Sequence, residues 1–191
     1  MKTELKIIKY FVENKKPKTI REIAKQIKAD YRITYIAIQR LIEKNVINVQ
    51  TVGKSSLCRL DEKYYGIRIY EAENERKENI LKNKNINQLY KEIMSKVKTS
   101  SFILLLFGSY AKSKQTKTSD IDLMFISNEE DFESKISDIL SLLPLKTHAL
   151  VFTEEEFIRM KYAKKSNVIQ EAVESNIILY GIEAYYRIKN A

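Results

Sequence analysis

FILLLFGSYAKSKQTKTSDIDLMFIS, Phe102–Ser127, decides how the chain is read. Six unbroken apolar residues, Phe102–Phe107, meet Gly108-Ser109; after ten intervening residues Asp120-Ile121-Asp122 leads into the apolar Leu123–Ile126. Short apolar runs bounded by turn residues are buried strands, so the stretch reads as strand, tight turn, basic loop, strand. Residues i and i+2 of a strand share a face, which sets the carboxylates of Asp120 and Asp122 side by side next to the Gly108 turn. Two hard oxygen ligands in that arrangement suit Mg²⁺ or Mn²⁺, held jointly with the phosphates of a substrate. The glycine lets backbone amides approach a phosphate closely, and a helix starting at Ser109 would aim its N-terminus at that anion. Lys112, Lys114 and Lys117 add positive charge to the loop.

Working outward, the 191 residues permit one medium domain or two small ones. The net charge of +9 is unevenly spread: residues 1–63 hold 15 lysines and arginines against 7 acids, the remainder 19 against 18. A localised surplus of this kind suggests a nucleic-acid-facing module. The single Cys58 excludes an intramolecular disulfide and a cysteine-cluster zinc site, and the single His148 excludes a histidine-rich metal site. The longest apolar run falls far short of the ~20 residues of a membrane helix, and MKTELKIIKY carries no apolar core ending in small residues. The expectation is a cytoplasmic protein with no membrane partner.

Towards the N-terminus, Leu5, Ile8 and Val12, with Ile7 and Phe11 beside them, recur at helical spacing. Thr19 followed by Glu22 is a capping box for a second helix with Ile20, Ile23, Ala24 and Ile27 inward. Asp30 caps a third helix, residues 31–45, with Thr34, Ala37, Ile38 and Leu41 inward. A strand over 46–51, a turn at 53–56 and a returning strand over 57–60 follow. This order resembles a winged helix-turn-helix domain, and the segment from Ile20 to Ile47 resembles many regulators of that type. Independently of the resemblance, the helix after the turn can enter a major groove, with Arg32, Tyr35 and Gln39 outward and Arg40 at its side. Arginine and glutamine read guanine and adenine edges; Lys54 and Arg59 on the hairpin would touch phosphate. A protein-docking module with a basic surface is the alternative.

Residues 64–84 read as a helical linker starting near Tyr64, with Glu71, Glu73, Arg76, Lys77 and Glu78 solvated. Tyr64-Tyr65 is read as interdomain packing, with a homodimer surface as the alternative. Ile86, Leu89, Tyr90, Ile93 and Val97 mark an amphipathic helix over 85–97. After the second motif strand come a helix over 128–142, a third strand over 146–152, a helix capped by Thr153 through Glu156, a helix over 166–175, a short strand over 176–180 and a last helix. The expected fold class is α+β: a winged helix-turn-helix at 1–63, the linker, and at 85–191 a small mixed sheet with flanking helices on one side.

The pattern Gly108-Ser109, ten residues, Asp120-Ile121-Asp122, with Ser119 and Leu123 flanking the acidic pair, resembles the signature of the DNA polymerase β nucleotidyltransferase superfamily, in particular its minimal nucleotidyltransferases; the closing section NIILYGIEAYYRI, Asn176–Ile188, resembles their tail. The chain departs from the family at Ser113, where glycine is common. The resemblance implies that Gly108, Ser109, Lys112 and Ser119 bind the nucleotide, with ATP as the expected NTP, and that Asp120 and Asp122 are catalytic and hold Mg²⁺. It also implies a third carboxylate on the third strand; laid on KTHALVFTEEEF, that position falls at His148. Imidazole is a poor Mg²⁺ ligand but a good base near neutral pH. Two readings follow. One is an active enzyme moving a nucleoside monophosphate onto a protein or small-molecule hydroxyl, coupled to DNA binding, in the manner of antitoxin-like enzymes that modify a partner toxin. The other is a DNA-binding transcriptional regulator whose degenerate nucleotidyltransferase-like domain binds nucleotide or a partner.

Overall fold

The chain divides into two compact units, Met1–Asn74 and Glu75–Ala191. The computed structural model describes residues 2–53, 55–116 and 118–191.

In the first unit, α1 (Lys2–Glu13), β1 (Lys18–Thr19), α2 (Ile20–Gln26) and α3 (Tyr31–Glu43) precede the hairpin strands β2 (Ile47–Val52) and β3 (Ser55–Leu60). Local chemistry starts each helix where the side chains demand it. The Thr19 side chain accepts the Glu22 amide while Glu22 accepts the Thr19 amide, a reciprocal capping box. The Asp30 carboxylate accepts from the amides of Arg32 and Ile33, opening α3. Thr34, Ala37, Ile38 and Leu41 form the buried face of α3, and Ile7, Ile8, Phe11 and Val12 that of α1. The three strands pair antiparallel in the order β1-β3-β2. The returning strand begins at Ser55 rather than Leu57, because Val52 pairs with Ser55 and Thr51 with Ser56. Burial pushes the Cys58 thiol up to about 11, leaving it an inert core residue. Three helices thus precede the hairpin, and the short β1 pairs with β3.

α4 (Ile67–Ile80) starts three residues later than Tyr64 and corrects one expectation: Glu73 and Arg76 are buried, not solvated. A buried guanidinium needs partners, and Arg76 Nη2 donates to the Asn176 carbonyl at 2.6 Å.

The second unit continues with α5 (Lys84–Lys96), β4 (Ile103–Leu106), α6 (Gly108–Ala111), β5 (Ile121–Ile126), α7 (Phe132–Ser141), β6 (Thr147–Phe152), α8 (Glu154–Lys161), α9 (Val168–Glu174), β7 (Ile177–Tyr180) and α10 (Ile182–Lys189). The sheet order is β6-β5-β4-β7; β5 and β6 run parallel, and β4 is antiparallel to both neighbours. β4 and β5 are interior strands, which is why their apolar runs are continuous rather than alternating. Ile86, Leu89 and Ile93 of α5 and Phe132 and Ile136 of α7 pack with Leu104, Leu106, Leu123 and Phe125. The alternate residues Leu105, Met124 and Ile178 are also fully buried, and α10 lies against β4. Helices therefore cover both faces of the sheet, not one as expected. α7 begins at Phe132 rather than Asn128 because Asp131 takes a left-handed φ of +57° and the Asn128 side chain accepts the Glu154 amide at the start of α8.

Arg76→Ala should cost about 1–3 kcal/mol of stability, the penalty of leaving a buried carbonyl without its donor; urea unfolding of the two proteins measures it, and an unchanged midpoint would show the bond to Asn176 to be dispensable.

Candidate functional site

The site is built where β4 ends. Phe107 donates its amide to the Asp122 carbonyl at 3.0 Å, and the chain then turns at Gly108, φ +66°. A Cβ at position 108 would lie 2.9 Å from the Asp122 Cγ and closer still to its carboxylate oxygen. Glycine is thus required twice over, by the left-handed backbone and by the carboxylate pressed against it. The helix expected after the turn is the single turn α6, anchored by buried Tyr110. Ser109 gives its carbonyl to the Lys114 amide at 2.9 Å. Ser113 holds φ +52° without being glycine, so the departure at this position stores local strain. The Ser119 hydroxyl accepts the Thr116 amide at 2.9 Å and closes the turn ahead of the acidic pair. Lys117 lies outside the described residues.

β5 starts at Ile121, so Asp120 sits just before the strand, exposed, while Asp122 lies within it, half-buried. Burial raises the Asp122 carboxyl above its usual range; nearby His148 opposes the shift, and the charges of Asp120 and Glu171 add to it. In the parallel register Asp122 stands directly opposite His148 on β6. His148 Nδ1 and Asp122 Oδ1 are 3.6 Å apart, in contact but too long for a hydrogen bond. His148 remains open to solvent. Lys112 meets Glu171 of α9, with Nζ 2.7 Å from Oε1. Glu171 is the residue the sequence does not disclose. It lies 59 positions from Lys112, on a helix whose acids look like any solvated face, and the fold alone brings it to the site. An open groove of about 750 Å³ runs between α7 and β6, with Asp120 and His148 among its lining residues.

Among the described residues, no three His, Cys, Asp or Glu side chains form a metal cluster. Two carboxylates completed by substrate phosphates are the usual way Mg²⁺ is held, so Asp120 and Asp122 fit that ion.

On the first unit, Arg32, Tyr35 and Arg40 of α3 are exposed and Gln39 is half-buried. Arg59 on β3 is exposed and lies 3.8 Å from Glu62. Lys54 lies outside the described residues.

Residues 87–184, just over half of the chain, match the family model described as "Polymerase beta, Nucleotidyltransferase". The chain belongs to the polymerase β nucleotidyltransferase family. Among solved structures, the crystal structure of the toxin-antitoxin with AMP-PNP is similar at 20% identity, covering 56% of this chain and 81% of that one, with a TM-score of 0.39. No curated protein matches. The matched nucleotidyltransferase segment contains Gly108, Asp120, Asp122, His148 and Glu171. No helix among the described residues is long and apolar enough to cross a membrane.

A carboxyl whose folded pKa is raised favours folding below its unfolded value, and that contribution is lost as pH rises through the raised value. Asp122→Asn should therefore raise Tm at pH 7 in the presence of a chelator, and the gain should shrink as pH falls below the ordinary aspartate value of ~3.9. Thermal melts across that window check this; equal melting at pH 7 would mean a fully solvated carboxylate.

Proposed function

We propose that the second unit transfers a nucleoside monophosphate from ATP to a hydroxyl on a protein or small molecule, with Mg²⁺ or Mn²⁺ held by Asp120 and Asp122. The observation that carries this reading is the approach of the Asp122 carboxylate to Gly108, which sets a cation ligand against the turn where phosphate is expected. In the reaction, the acceptor oxygen forms a bond to the α-phosphorus, the bond to the bridging oxygen breaks, and pyrophosphate leaves. Bound Mg²⁺ supplies neutralisation of the phosphate charge. Gly108 and Ser109 bring backbone amides to the triphosphate, and Lys112 contributes its charge there, exchanging Glu171 for phosphate. Ser119 holds the loop that presents Asp120. Asp122 beside Nδ1 favours the tautomer protonated at that nitrogen, which leaves Nε2 of His148 to accept the acceptor's proton.

Calorimetry with ATP and Mg²⁺, followed by pyrophosphate release, tests this. Asp120→Ala and Asp122→Ala should each abolish Mg²⁺-dependent ATP binding while the fold persists. ATP affinity unchanged in both would reduce the pair to a solvated acidic face. A rate rising with pH through the histidine range, and lost in His148→Ala, marks His148 as the base.

A specific observation favours a second reading. His148 stands in register with Asp122, where the family resemblance places a carboxylate. In that reading the domain has lapsed to nucleotide or partner binding and the chain is a DNA-binding regulator. Turnover gained in His148→Asp from an inactive parent would support it.

In either reading we infer that the first unit binds duplex DNA through α3 and the hairpin. The support is the basic surplus of residues 1–63 and a helix–turn–helix followed by a two-stranded wing. Affinity of the full chain should fall with salt at a slope near ~0.9 per phosphate contacted. Arg59→Ala and Lys54→Ala should flatten that slope by about one unit each, whereas Arg32→Ala and Gln39→Ala should mainly relax sequence discrimination. Gel shifts at low and moderate salt check this; no binding at low salt would leave the unit as a protein-docking module, for instance for a toxin partner or a second copy.

A further inference from the structure

The outward face of α3 is not the purely polar surface its arginines suggest. Tyr31 (51% exposed), Ile33 (56%), Tyr35 (44%) and Ile36 (45%) all stand open on its first two turns. Opposite the buried residues stand Tyr35 and Ile36, with Tyr31 and Ile33 on the two flanks of that side; large apolar side chains gathered at one exposed helix end mark an interaction site. The turn that carries them is rigid. Asp30 bonds the amides of Arg32 at 2.8 Å and Ile33 at 3.2 Å, and the Thr34 hydroxyl donates to the Asp30 carbonyl at 2.8 Å. The rings of Tyr31 and Tyr35 lie 6.4 Å apart.

The surroundings of this apolar group indicate its occupant. Arg21, Lys25, Lys28, Arg32 and Arg40 are all exposed on α2, the turn and α3. The acids nearby are committed elsewhere: Asp30 to the cap and Glu22 to Thr19 and Lys18. A second copy docking by the same face would set one basic frame against another, since a two-fold interface is made of the same patch on both sides. Duplex DNA matches both features. Its phosphates complement the frame, and its major groove offers one apolar group, the 5-methyl of thymine.

We infer that Ile33, Tyr35 and Ile36 read thymine methyl groups in the major groove. The inference rests on the DNA-binding reading above and assigns it a base preference. Arg32 and Gln39 contribute hydrogen bonds to neighbouring base edges.

The test uses the full chain. Duplexes it retains from a random-sequence pool are resynthesised with deoxyuridine in place of every thymine, which removes the methyl and leaves pairing intact. The wild-type chain is expected to bind the uracil duplex more weakly, by about fourfold for each methyl contacted. Ile33→Ala and Ile36→Ala are expected to lose that preference while keeping the wild-type salt slope; circular dichroism confirms their fold, which these exposed positions do not support. Equal affinity for thymine and uracil duplexes overturns the inference and leaves DNA binding standing, as does a thymine preference unchanged in both isoleucine variants. Binding to no duplex at low salt removes the DNA-binding reading and the inference with it. Self-association abolished by Ile36→Ala, without any thymine preference, assigns the face to a second copy instead.

Discussion

The second unit depends on one close approach, that of the Asp122 carboxylate to Gly108. No side chain larger than hydrogen fits between them, and the left-handed backbone at that position excludes most residues independently. The approach is possible only because β4 and β5 are antiparallel neighbours, with the Phe107 amide bonded to the Asp122 carbonyl. All of β4 and every residue of β5 except Asp122 are buried, so the position of the carboxylate is inherited from a core that cannot slide. A one-residue slip would send every side chain of β5 to the opposite face. A half-buried carboxylate kept next to a second acid is costly to ionise, and the proposed cation would relieve that cost.

The same logic explains how His148 joins the site. It lies on an edge strand and is exposed. The parallel pairing of β5 with β6 sets it opposite Asp122, so that an imidazole stands where the family resemblance implies a third carboxylate. Lys112 and Glu171 form a further pair at the rim. Being exposed on both sides, it is weak in itself, as the proposed exchange of Glu171 for phosphate would require.

The first unit is held by a different balance. Its helices start at well-formed caps and bury a narrow apolar stripe, and α3 pairs that buried stripe with an opposite face that is both apolar and basic. Ile33 and Ile36 stand outside the core of this unit, and the proposed DNA contact would give them a partner.

Much of this was legible in the residues. Turn chemistry and uninterrupted apolar runs located β4, Gly108 and β5. Thr19, Asp30 and Thr153 announced their helices because caps act within three or four residues, and heptad-like spacing of Thr34, Ala37, Ile38 and Leu41 identified the inner face of α3. These signals are local, and a linear chain carries them in full. The remainder required the folded chain. The coverage of both sheet faces, the burial of Glu73 and Arg76 on a helix that reads as solvated, and the late start of α7 all depend on groups far away in sequence. So does the arrival of Glu171 beside Lys112: an acid on an amphipathic helix has the same local pattern whether it faces water or a distant lysine, and only packing distinguishes the two.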